Sequence, residues 1–335
     1  MNIIIPMAGM GKRMRPHTLT TPKPLIKIAG KPIVQRLCEE IAMVCGSDID
    51  QIGFVIGDFG KEVEQSLIEI AQKLGAKGEI YYQREALGTA HAIMCAEPIL
   101  HGNVIVAFAD TLFEADFKLD TNQDCTIWTQ EVENPSAFGV VKKNDDGTIH
   151  SFVEKPKTFV SNEAIIGIYY FNDGDKLKSE LSYIIDNGIK TLGEFQLTDA
   201  LQNMLDKKVR LTTSNVKQWL DCGNKNATVM TNSKILELKA KSESLISDDV
   251  VKQNSVIIEP CFVGKGVRLV NSVIGPYVSL EEGVEVKDSV VANSMVGSKT
   301  MIENAVINNS MLGCCAKFKG AKNDLSLGDY NEVNL

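Results

Sequence analysis

Arg13 and Lys23 stand on either side of a loop stiffened by Pro16, Pro22 and Pro24, residues 9–25 (GMGKRMRPHTLTTPKPL). Gly9 and Gly11 open this stretch, and glycine lets backbone N–H groups approach a phosphate or a base edge closely. Two fixed cations on a rigid connector suit a triphosphate, whose charge must be held and partly passed to a leaving pyrophosphate. Two commoner phosphate loops do not fit. The dinucleotide fingerprint GxGxxG needs a third glycine where Met14 stands, and the P-loop pattern fails at Pro6 and at Arg13. Elsewhere single polar residues close apolar runs: Gln83 after EIYY, Asp110 after VIVAFA, and Asp221 in QWLDCGN. A Gln amide offers both donor and acceptor, so it can pair with the imide edge of a pyrimidine. Transfer at phosphorus needs positioning and charge neutralisation, which Mg²⁺ supplies when held by one or two carboxylates, phosphate oxygens and water.

These residues need a frame that brings them to one edge. Residues 2–5 are a short apolar run ending at Pro6, the pattern of a buried strand that leads into a loop. Apolar residues at helical spacing follow over 32–45 (Ile33, Leu37, Ile41, Val44) and 61–74 (Val63, Leu67, Ile70, Leu74). Strand-like runs lie at 51–56, 79–83 and 104–109, and a further helical pattern at 89–96. This alternation predicts an α/β fold, a Rossmann-like, mainly parallel sheet with helices on both faces. Ligands of such sheets sit at the carboxyl ends of the strands, where Gly9, Gln83 and Asp110 fall.

From about residue 250 the pattern changes. Apolar residues recur about every six positions, at Ile257, Val263 and Leu269 and then at Val278, Val284, Val290, Val296 and Ile302, with glycines between them. A sixfold repeat predicts a parallel β-helix. The expected division is an α/β domain at 1–231, a linker helix at 232–249 and the β-helix at 250–335.

Of the 335 residues, 44% are apolar and 23% charged, as in a globular protein with a full core. The net charge of −8 argues against a general nucleic-acid binder, which needs a basic face. Apolar runs are too short to span a bilayer and the MNIIIP start lacks the features of a signal peptide, so a cytoplasmic location with no membrane partner is expected. Eight cysteines without a CxxC pair read as core thiols in a reducing compartment.

The ordered set G-x-G-x-R-x-x-P-x-T-x-x-x-P-K-P-L of residues 9–25 resembles the signature of the sugar-nucleotide pyrophosphorylases, a nucleotidyltransferase family that includes the glucose-1-phosphate thymidylyltransferases. The resemblance covers essentially the whole chain. It implies that a nucleoside triphosphate (dTTP or UTP) and a sugar 1-phosphate (glucose 1-phosphate being the family's commonest choice) are joined to an NDP-sugar with release of pyrophosphate. It also implies roles: Arg13 and Lys23 in catalysis, Ala8, Gly9, Gly11, Gln83 and Gly88 in nucleotide binding, and Asp110 and Asp221 as the ligands of Mg²⁺. FGVV at 138–141 and EKP at 154–156 resemble the family's sugar-phosphate elements. By that resemblance Lys155 contacts the sugar-linked phosphate, Glu154 and the backbone of Gly139 contact sugar hydroxyls, and Asn162 and Gly167 lie near the sugar. Glu194 and Asp199 in GEFQLTDAL are weaker candidates. The resemblance further implies that the coil is a left-handed, hexapeptide-repeat β-helix. The chain departs from the family's A-G-G-x-G-T-R at Met10 and Lys12.

Purine-nucleotide chemistry and a catalytically silent nucleotide-sugar-binding subunit are alternatives to this reading. A third would have the β-helix transfer an acyl group, which generally takes a His base. All four histidines (17, 91, 101, 150) precede the repeat, so the coil is expected to join subunits into a homo-oligomer.

Overall fold

The apolar run behind Met1 is strand β1 (Asn2–Pro6), buried at every position. It lies at the centre of the larger of two units in the computed structural model, which describes residues 1–46 and 49–321. That unit comprises residues 1–27 and 31–224; the other comprises residues 28–30 and the chain from 225 on. A short pair, β2 (Lys27–Ile28) and β3 (Lys31–Pro32), precedes α1 (Ile33–Cys45). There follow β4 (Gln51–Ile56), α2 (Lys61–Lys73), β5 (Lys77–Tyr82), α3 (Thr89–Met94) and β6 (Val104–Ala107). Spacing of 3.6 puts Ile33, Leu37, Ile41 and Val44 on one buried face of α1. β4 and β6 flank β1, both parallel to it, and β5 extends the sheet beyond β4. The sheet therefore grows away from β1 on one side first and then on the other. The carboxyl end of β1 is such a switch point, where α/β sheets open a crevice.

The next part is largely antiparallel: β7 (Thr111–Glu114), β8 (Cys125–Glu131), β9 (Gly139–Lys143), β10 (Ile149–Glu154) and β11 (Glu163–Phe171). After α4 (Gly174–Asp186) and α5 (Leu197–Asp206) come β12 (Leu211–Asn215) and β13 (Gln218–Asp221). The main sheet runs β10-β9-β11-β6-β1-β4-β5, with β8 paired to β11 and β12. β7 and β13 form a separate antiparallel pair. β6 stops at Ala107, so Asp110 sits in the turn into β7 and does not end a strand.

The second unit opens with α6 (Lys225–Lys239), which starts seven residues before the expected linker helix. This helix is a cover more than a linker. Its Asn232, fully buried, accepts hydrogen bonds from the Ala29 N–H (2.9 Å) and the Ser279 hydroxyl (2.7 Å). Behind it the chain winds into the left-handed parallel β-helix, three sheets of short stacked strands. In one sheet Val251, Arg268, Glu285, Met301 and Lys317 stack in register, so successive coils take 17, 17, 16 and 16 residues. Three six-residue faces would take about 18. The shortfall explains why the sixfold pattern slips: Val290, expected inside, faces out, and the interior position falls to Val291, which is fully buried. Residues 322–335 of the expected repeat domain lie outside the described residues.

The faces of this prism differ. One carries Arg268, Glu285, Lys287, Glu303, Lys317 and Lys319, with a Lys319–Glu303 ion pair at 3.1 Å. A second lies against α6 and residues 28–30, through Ser279 on Asn232 and the Phe262 ring on Gly30. On the third, Val256, Val273, Val290 and Val306 stack in register and point outward, Val306 being 84% exposed. The strands of that face contain no charged residue. All eight cysteines are free thiols, and among the described residues no helix is long and apolar enough to cross a membrane.

Candidate active site

β1 delivers the chain into the glycine loop at the switch point. Met7 still bonds to the sheet, its N–H to the Val55 carbonyl at 2.8 Å, and from Ala8 on the chain leaves it. Gly11 adopts φ +56°, and any Cβ there would press on Lys23 and Thr18. Its carbonyl accepts from the Met14 N–H (2.9 Å) and the Thr18 hydroxyl (2.8 Å), and Met14 is buried beneath. The loop is thus closed on itself and leaves Arg13 and Lys12 exposed above it.

Lys23 is 8% exposed and its Nζ lies 2.8 Å from an Asp110 carboxylate oxygen. Asp221 reaches the same place from a distant part of the chain. β13 pairs with β7 so that Asp221 stands opposite Thr111, and the Cys222 N–H donates to the Asp110 carbonyl at 3.0 Å. Burial pushes the Asp221 carboxyl above the usual carboxylate range, and the neighbouring Asp110 charge adds to this. The Gly223 N–H (2.8 Å), Lys23 and Arg13 pull the other way. Two repelling carboxylates, one disfavoured in its charged form, are the electrostatic condition that a hard cation relieves. Among the described residues no cluster of three or more His, Cys, Asp or Glu ligands forms, and Mg²⁺ needs no more than these two.

Gln83 continues β5 and keeps one sheet bond, its N–H to the Ile56 carbonyl at 2.9 Å. Its side-chain Nε2 donates to the Gly88 carbonyl at 3.0 Å. Gly88 has φ +117°, and a Cβ there would collide with the Phe195 backbone. The segment around Phe195 clamps this loop: Phe195 N–H to the Leu87 carbonyl (2.9 Å), Ala90 N–H to the Phe195 carbonyl (3.0 Å), Leu197 N–H to the Thr89 hydroxyl (2.9 Å). Glycine at 88 is thus required by the clamp, while its carbonyl is taken by Gln83.

Ala8, Gly9, Gly11, Arg13, Lys23, Gln83, Gly88 and Asp110 all line one cleft of about 560 Å³. Lys12, Thr89, Phe108 and Glu194 line it as well. Asp221 is not on that wall, but Gly223, whose N–H donates to it, is. Gly139, Glu154, Lys155 and Asn162 are not on it; they stand on the β9–β10 pair and at the start of β11. Gly139 lies opposite Glu154, and a Cβ there would crowd that carboxylate at 3.0 Å. Lys155 is held at φ +44° by its N–H bond to the Phe138 carbonyl (3.0 Å), with its Nζ 3.5 Å from Glu154. The Phe138 ring meets Trp219 edge-on at 4.7 Å, two residues before Asp221, which ties this turn to the carboxylate pair. Asn162 is exposed and its carbonyl takes the Val132 N–H at 2.9 Å. Gly167 abuts Phe108, whose N–H bonds to the Gly167 carbonyl at 2.9 Å. Asp199 lies under the clamp and accepts from the Thr191 hydroxyl at 2.8 Å. The sequence reading missed Thr89, Phe108 and His91; only Thr89, at a helix start, carries a local signal.

The family description "Nucleotidyl transferase" matches residues 2–237. A glucose-1-phosphate thymidylyltransferase of Streptomyces antibioticus is 26% identical, over 100% of this chain and 99% of its own. The bifunctional protein GlmU of Methanocaldococcus jannaschii is 32% identical over 77% of this chain and 60% of its own. A crystal structure of UDP-glucose pyrophosphorylase complexed with UDP-glucose superposes with a TM-score of 0.57 at 25% identity, covering 71% of this chain and 98% of that one.

Proposed function

The chain belongs to the nucleotidyl transferase family, and from that premise we propose that it joins a nucleoside triphosphate to a sugar 1-phosphate, giving an NDP-sugar and pyrophosphate. The observation that carries this reading is convergence: a closed glycine loop with exposed Arg13 and Lys12 and the Lys23–Asp110 pair at 2.8 Å on one strand-end cleft, with Asp221 beside Asp110. An oxygen of the sugar phosphate forms the new bond at the α-phosphorus, while the bond to the β-phosphate breaks and pyrophosphate leaves with its electrons. The attacking phosphate is already ionised at neutral pH, so no general base is needed. Arg13 and Lys23 stabilise charge that builds on the triphosphate, and backbone N–H groups of the 8–11 loop position it. Lys155 offsets repulsion between two anionic substrates, while Gly139, Glu154 and Asn162 frame the sugar end. Asp110 and Asp221 would hold Mg²⁺, which supplies charge neutralisation to the transferring group.

Gln83 favours dTTP or UTP, and glucose 1-phosphate is the sugar phosphate to try first. In this reading catalysis belongs to residues 1–27 and 31–224, in the cytoplasm. The coil serves assembly. A second copy is the partner that the uncharged valine face fits, because two chains of net charge −8 meet there without like charges opposed. The test of the reaction is pyrophosphate release with Mg²⁺ from sugar 1-phosphates crossed against dTTP, UTP, GTP, ATP and CTP. Release that needs both substrates is expected. Silence of folded protein across the panel would sink the reading.

A further inference from the structure

Gln83 offers two N–H donors on Nε2 and two lone pairs on Oε1. The first donor is spent on the Gly88 carbonyl at 3.0 Å. Nε2 also lies 3.2 Å from Nδ1 of His91. An amide nitrogen cannot accept, so Nδ1 must present its lone pair to this bond, which fixes the tautomer with Nδ1 as acceptor. Turning the amide over would set Oε1 against the Gly88 carbonyl and against the Nδ1 lone pair, acceptor against acceptor at both, so the two together hold this orientation. Both donors of Gln83 are therefore consumed inside the protein. Only an acceptor is left to the cleft.

His91 itself does not line the cleft. It sits three residues after Gly88 on α3, partly buried. We propose that His91 is a positioning residue that takes up the second N–H of Gln83 and so restricts the enzyme to nucleobases with a ring N–H donor beside a carbonyl, such as uracil or thymine. A base with a lone pair at that ring nitrogen, such as cytosine or adenine, would meet Oε1 lone pair to lone pair. This rests on the reading of the cleft as a nucleotide site and adds the base it selects and the residue that enforces the choice.

The test compares UTP with CTP, using one sugar 1-phosphate, in the wild type, His91→Leu and His91→Asn. Asn places Oδ1 where Nδ1 stands and keeps the acceptor; Leu removes one of the two acceptors that hold the amide in this orientation, so the amide can turn an Nε2–H to the cleft. The wild type should prefer UTP, and His91→Leu should narrow the UTP-to-CTP ratio of kcat/KM by about tenfold, mostly through KM. His91→Asn should retain the wild-type ratio. A role in folding alone would lower both activities together and leave the ratio in place. An unchanged ratio in folded His91→Leu, or a wild type that prefers CTP, would overturn the proposal. If the wild type releases no pyrophosphate at all, the reaction assignment fails instead. UTP and CTP affinities by calorimetry then decide on His91, and the same ratio in both proteins would reject its role.

Discussion

Both units make tight turns with left-handed backbone, and they staff those turns differently. In the cleft the residues are glycines, Gly11 at φ +56° and Gly88 at φ +117°, and the space beside each is already filled by Lys23 and Thr18 or by the Phe195 backbone. At one corner of the coil they are Asn254, Asn271, Asp288 and Asn304, with φ between +48° and +53°. Tyr277, Asn293 and Asn309 repeat the device at another corner, and at a third Lys299 and Cys315 follow Gly266 and Gly283, beside which a Cβ would have room. Side chains are admitted there. At the first corner they form a ladder, with Asn254 donating to Asn271 at 3.1 Å and Asn271 to Asp288 at 2.9 Å. A turn that cannot take a Cβ has something packed against it that must be where it is. A turn that takes almost any side chain is there only to bring the chain round.

The comparison predicts that the two units fail separately. Asp110→Asn or Asp221→Asn should lower kcat/KM by roughly 10²-fold or more, since each removes a carboxylate that would hold the Mg²⁺ offsetting the developing negative charge. Thermal stability should hold, or rise for Asp221→Asn, because its buried carboxylate is repelled by Asp110. Activity within threefold of wild type in both variants would break the comparison at its functional end.

The opposite pattern belongs to the coil interior. Ile302 is 1% exposed, and Ile302→Ala should destabilise the second unit by about 2–4 kcal/mol, read by urea unfolding. Pyrophosphate release per folded molecule should stay unchanged. A smaller effect is expected on its outer face, where Val290→Lys would set like charges against each other in a pair of copies. Self-association should weaken roughly tenfold or more by sedimentation, with no loss of activity per chain. Persistence of the wild-type assembly in this variant would remove the valine face as the contact.

The parts readable from sequence are those held within a short stretch. The glycine loop, its cations and its prolines are contiguous, and the helical faces of α1 and α2 follow from spacing within 13 residues each. Asp110 and Asp221 are separated by more than a hundred residues, and only the pairing of β7 with β13 makes them neighbours. His91 carried no signal, because its contact with Gln83 depends on how α3 is turned above the end of β5. The coil was legible in kind but not in phase. Each coil is one or two residues short of a regular 18, so an interior position inferred from six-residue counting drifts, as at Val290 and Val291. The start of α6 was obscured because polar Thr228, Thr231 and Asn232 fill its buried face.

The smallest effect is the most direct probe of the corner argument. Asn271 is exposed, sits at φ +49°, and makes two ladder bonds. Asn271→Gly removes the ladder bonds and also relieves the cost of left-handed backbone. Asn271→Ala removes the same bonds and keeps a Cβ in a conformation that costs an ordinary side chain about 1 kcal/mol. The ladder bonds are solvent-exposed, so their net worth is about 0.5 kcal/mol each. Ala should therefore be destabilising by about 1–2 kcal/mol, and Gly by less, although Gly loses more backbone entropy on folding. The difference between the two, measured by unfolding of the coil, isolates the backbone term. If Ala proves as stable as Gly, corner geometry is not what selects the residue, and the Asn and Asp at these positions are there for the ladder.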